Sequence, residues 1–207
     1  RSVFTTASGN AVTNPASVTL LSEDFASLTA GGNTATSGTG APSGTEITTN
    51  LTPNFPVSSK AYSAGGAVKL GTSSLPGSIT SKTLDLSGNG GAFTVSFDVK
   101  GWTTVEGDIT VTVTGLAPQT VSYSATVASA FETKVLQFTG GQATSTITFA
   151  TTAKRAFLDN ITVTGGNGPI DVVPPSAPAI TGITPASGRL TVAFSPPASN
   201  GGATITN

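Results

Sequence analysis

The chain has 207 residues, with 9 lysines and arginines against 10 aspartates and glutamates, and a formal net charge of −1. It contains no histidine and no cysteine. That excludes a disulfide framework, a thiolate metal site and any Ser-His-Asp or Cys-His catalytic apparatus within these residues. Charged side chains are 9% of the total, against about a quarter in ordinary domains. With no basic run to track phosphates, nucleic acid is not an expected partner, and no stretch approaches the roughly 18 apolar residues of a membrane span.

Residues 1–17 are polar and irregular, and read as a leader or as the end of an upstream domain. The chain begins at Arg1 and has no methionine, as expected of a processed form or a fragment. "VTLLSEDF" (18–25) alternates as a first strand. Residues 29–60 run through Gly, Thr, Ser, Asn and Pro without periodicity, so a long loop is expected, of the kind that often carries function. "AYSAGGAVKLG" (61–71) reads as one strand with a bulge at Gly65-Gly66, and "SITSKTLDL" (78–86) as the next.

The clearest strand is "AFTVSFDVKGW" (92–102), where Phe93, Val95, Phe97 and Val99 alternate with Thr94, Ser96, Asp98 and Lys100. "DITVTVT" and "QTVSYSATV", joined by the turn "GLAP", read as a hairpin. "TKVLQF", "STITFA" and "RAFLDNITV" complete eight or nine strands with glycine-rich breaks and no helical period. The fold class expected is all-β: an antiparallel jelly-roll β-sandwich over 18–166. Residues 167–177 form a Gly/Pro linker by composition. The remainder, 178–207, reads strand, turn, strand, double proline, Asn-Gly-Gly. It resembles the N-terminal part of a fibronectin type III domain, about a third of what that sandwich needs.

Two carboxylates stand at positions of apolar parity. Glu23 shares a face with Leu21 and Phe25, and Asp159 shares one with Phe157. Both are therefore expected to point inward, from strands that commonly pair in a jelly roll. An unpaired carboxylate there costs several kcal/mol. A shared calcium ion, bound through oxygen alone, is one answer. Ordinary ion pairs of Glu23 with Lys69 or Arg155, and capping or backbone hydrogen bonds at Asp159, are the others.

For ligand binding, Trp102 is the one tryptophan. Its parity groups it with Asp98 and Lys100 as an outward platform on which a sugar ring would stack; the alternative is that it folds over a core edge. Tyr62 is a further candidate, while Tyr123 has core parity.

Taken in order, "SEDF", "AYSAGGAVKLG" with "GSITSKTLDLSG", "FTVSFDVKGW" and "RAFLDNITV" resemble the jelly-roll domains of exported bacterial surface proteins. These are similar to MAM-like domains and carbohydrate-binding modules. The resemblance implies a structural calcium held at Glu23 and Asp159, although Asp159-Asn160 stands where many relatives have two acidic residues. It implies a non-catalytic module on an extracellular, cell-surface protein exported by the type IX route, working in adhesion or glycan binding. Its partners would be a glycan or another surface protein, besides neighbouring domains of the same chain. A ligand-free spacer and an accessory module of a secreted hydrolase are the alternatives.

Overall fold

The computed structural model describes residues 17–165 and 177–195. The leader but for Ser17, the linker but for Ala177, and the closing "NGGATITN" lie outside the described residues. The described residues fall into two compact units, 17–165 and 177–195.

The first unit is an antiparallel jelly-roll β-sandwich. Its strands are β1 (Thr19–Glu23), β2 (Glu46–Thr49), β3 (Val57–Ser63), β4 (Val68–Leu70), β5 (Ser78–Thr80), β6 (Phe93–Gly101), β7 (Ile109–Val113), β8 (Gln119–Val121), β9 (Glu132–Phe138), β10 (Ile147–Thr151) and β11 (Ala156–Gly165). One layer runs β5–β10–β7–β8. The other runs β11–β6–β9, with β4 and β1 side by side along the free edge of β11. β3 belongs to both layers. Its first half pairs with β5 and its second half with β4. Lys60, with a left-handed φ of 50°, stands between the halves, a bend of the kind by which strands change sheets.

The structure corrects two sequence expectations here. The segment 61–71 is the end of β3, a turn and β4, because Gly65 and Gly66 both take positive φ and reverse the chain. The long loop contains β2, four residues whose polar "EITT" pairs with β3.

The core lies between the layers. Phe97 of β6 meets Phe149 of β10 edge-on at 5.4 Å, Phe149 meets Phe55 at 6.1 Å, and Phe55 meets Phe25 at 5.7 Å. These rings join both sheets to the 24–55 loop in the geometry aromatic pairs prefer. Tyr123 is buried in the same core, as its parity predicts, but its hydroxyl has no hydrogen-bond partner among the described residues. Burial pushes its pKa up to about 12.

The second unit shows β12 (Ala179–Ala186) and β13 (Arg189–Ser195) as a hairpin turned at Ser187-Gly188. This agrees with the expected strand–turn–strand order. Among the described residues, no helix is long and apolar enough to cross a membrane.

Candidate functional site

The two ends of the β1–β11–β6–β9 sheet differ on the face turned away from the core. At the end near the start of β6, that face is open and polar. Thr94 of β6 lies beside Gln137 of β9 and Thr164 of β11. With Thr139 and the turn residue Asn89 they line a cleft of about 240 Å³, which Phe93 and Phe138 also border. Those two side chains belong to the core, where their rings stack at 5.2 Å, 8° from parallel. The charge-free lining offers amides and hydroxyls that both donate and accept, and none of these five side chains is engaged in a hydrogen bond by the described residues. From the cleft the face continues over Ser96, Thr162 and the 60%-exposed Val135.

The far end of the same face is covered. Register aligns Glu46, Tyr62, Lys69, Phe157 and Lys100 across β2, β3, β4, β11 and β6. The Lys69 ammonium sits 3.5 Å from the centre of the Tyr62 ring. Burial, then the nearby Arg155 charge, brings its pKa down to about 8. Phe157 is buried with Ala64 and Ala67 in a second small apolar cluster, closed by Trp102, Val127 and Phe131.

The expected ligand platform is therefore corrected. Tyr62 (9% exposed) and Lys100 (3%) do lie on the outer face, but under cover. Trp102 stacks on Phe157 at 5.8 Å, and the Arg155 guanidinium lies 4.4 Å from its ring centre. It takes the edge-covering role, not that of a free platform. Glu106 in turn holds Arg155 through two hydrogen bonds to its guanidinium. Asp98 is half-buried and accepts from Thr133 at 2.5 Å and Asn160 at 2.9 Å.

The carboxylates also part company. β1 and β11 do pair, with Glu23 opposite Ile161 on the core side. Glu23 accepts from the Phe25 amide at 3.0 Å, the Thr52 hydroxyl at 2.7 Å and the Asn54 amide at 3.1 Å. Asp159, opposite Asp98, belongs to the outer face. A register shift between Asp159 and Thr162, with Asn160 at φ 46°, returns Ile161 and Val163 to the core. The two carboxylates thus lie on opposite sides of the sheet. Among the described residues no group of three or more acidic side chains is disposed to hold a metal. Burial raises the Asp159 pKa to about 6, with the Asp98 and Asp24 charges adding to the rise and the Asn160 amide and Lys100 opposing it.

Sequence reasoning missed the cleft. Gln137, Thr139 and Asn89 belong to no motif, and only the register of three strands brings them together.

No family model and no curated protein matches the sequence. Solved structures of similar shape include a CBM35 module from Paenibacillus barcinonensis, with TM-score 0.39 and 19% identity over 53% of this chain and 91% of that one. A CBM22-1 xylan-binding domain from the same organism has TM-score 0.39 and 17% identity over 73% and 96%. A family 11 carbohydrate-binding module from Clostridium thermocellum has 0.31 and 16% over 51% and 77%. A likeness at this level assigns neither ligand nor site to this chain.

Proposed function

We propose that the sandwich is a non-catalytic module that binds neutral glycans through the open part of its β1–β11–β6–β9 face, as part of an exported bacterial surface protein engaged in adhesion. The observation that carries this reading is the cleft: five uncharged polar side chains with no hydrogen-bond partner among the described residues. A sugar presents hydroxyls along its rim, which such a lining matches. The volume of about 240 Å³ falls just below the roughly 300–1,000 Å³ of small-molecule pockets. It suits one sugar unit, with the rest of a chain lying along Ser96, Val135 and Thr162. Asp98 and Asp159, the adjacent carboxylates, are spent on Thr133 and on fixing the bulge at Asn160, which favours binding over hydrolysis.

A glycan array probed with the full chain tests the reading. Selective retention of neutral glycans, lost in Gln137→Ala and Thr94→Val with unchanged Tm, is expected. Binding that survives both substitutions overturns the site.

A spacer role has one observation in its favour. On the outer face of the other sheet, threonine hydroxyls bond one another at Thr80–Thr148, Thr110–Thr120 and Thr114–Thr146. That surface has satisfied much of its own bonding capacity. A folded chain that retains no glycan on the array favours this second reading.

A further inference from the structure

Among the described residues, Lys100 is a buried cation with no carboxylate at ion-pair distance. It is 3% exposed on β6, with its ammonium 4.5 Å from the centre of the Phe131 ring and 5.9 Å from that of Phe157. The ion pairs among the described residues are Lys60–Glu46, Lys134–Glu132 and Arg155–Glu106. Lys100 has none, although a lysine this buried is ordinarily paired. It donates instead to the side-chain carbonyl of Asn33 at 3.0 Å, with the Val127 carbonyl at the margin at 3.5 Å. Asn33 is itself pinned: its NH₂ donates to the carbonyls of Ala64 at 2.9 Å and Gly65 at 3.3 Å. This fixes which end of the amide faces the lysine. Asp159 lies diagonal to Lys100 on the same face, since Phe157 is directly opposite Lys100, and its charge acts on Lys100 from beyond ion-pair distance.

We propose that Lys100 and Asn33 become joined by an intramolecular amide bond that the folded chain forms by itself. The components are a desolvated amine and an immobilised carboxamide at hydrogen-bond distance. Burial lowers the pKa of Lys100, which favours the neutral, nucleophilic amine. As the neutral amine, the Lys100 nitrogen attacks the Asn33 side-chain carbonyl carbon, and one of its two protons moves to the Asn33 nitrogen. The old C–N bond then breaks and ammonia leaves. One C–N bond replaces another, so no oxidant, reductant or cofactor is required. The reaction staples the long 24–45 loop to β6 and neutralises the unpaired charge. It is independent of the glycan-binding reading.

The test is the intact mass of the purified full chain under denaturing conditions. The wild type is expected to be lighter than its sequence by one ammonia, while Lys100→Arg and Asn33→Ala show their full sequence masses. Trypsin is expected to skip Lys100 and to release it joined to the peptide containing Asn33. A wild-type chain at full sequence mass overturns the proposal. So does a loss of ammonia that persists in Lys100→Arg, since that loss would belong to an asparagine succinimide.

Discussion

At Asp159 and Asn160 a single backbone irregularity decides where two carboxylates point. With its pKa raised to about 6 from an ordinary value near 4, Asp159 binds its proton more tightly in the folded chain than in the unfolded one. Its protonated form therefore favours the fold. That contribution is present at about pH 4 and lost as pH rises through 6. The expected outcome is that wild type gains Tm relative to Asp159→Asn on going from pH 7 to pH 5; equal shifts in both chains contradict it. Glu23 is the opposite case, a buried carboxylate satisfied by three protein donors. Glu23→Ala leaves those donors orphaned and is expected to cost about 2 kcal/mol in urea unfolding, whereas EDTA is expected to leave Tm unchanged. A Tm that falls with EDTA would restore an ion to the account. Tyr123 buries a hydroxyl with no partner, so Tyr123→Phe is expected to be neutral or to stabilise by about 1 kcal/mol. Destabilisation would show that the hydroxyl has a partner after all.

Among the strands, legibility follows how a strand is covered. β6 was readable because one face is core and the other polar, which gives strict alternation from Phe93 to Val99. β11 misled because both faces of its first half are covered. Leu158 belongs to the main core and Phe157 to the second cluster, so the phenylalanine does not mark the core side. β2 was hidden by its length and polarity. The hairpin of β3 and β4 read as one strand because small apolar residues continue through its turn. In the site, the pairing of the first strand with the last and the core position of Tyr123 were legible. The cover over Lys100 and Tyr62 was not, since it comes from loops that have no periodicity. The joint between the layers is aromatic: Phe149 touches both Phe97 and Phe55. Phe149→Ala is expected to cost about 3–5 kcal/mol; a cost below 1 kcal/mol would mean that the two sheets are held together elsewhere.

Over the sandwich as a whole, the two outer faces differ in what they leave unsatisfied. The threonines of β5, β7, β8 and β10 bond one another. On the cleft side of the opposite sheet, the side chains of Gln137, Thr94 and Thr164 have no hydrogen-bond partner among the described residues. That asymmetry is why the account places binding on one face and none on the other. The most direct measurement is backbone amide shift mapping of the full chain, titrated with a neutral oligosaccharide that the array retains. The account predicts shifts concentrated at Asn89, Thr94, Ser96, Val135, Gln137 and Thr164. Shifts concentrated instead on the threonine face, or around Trp102 and Tyr62, would contradict it.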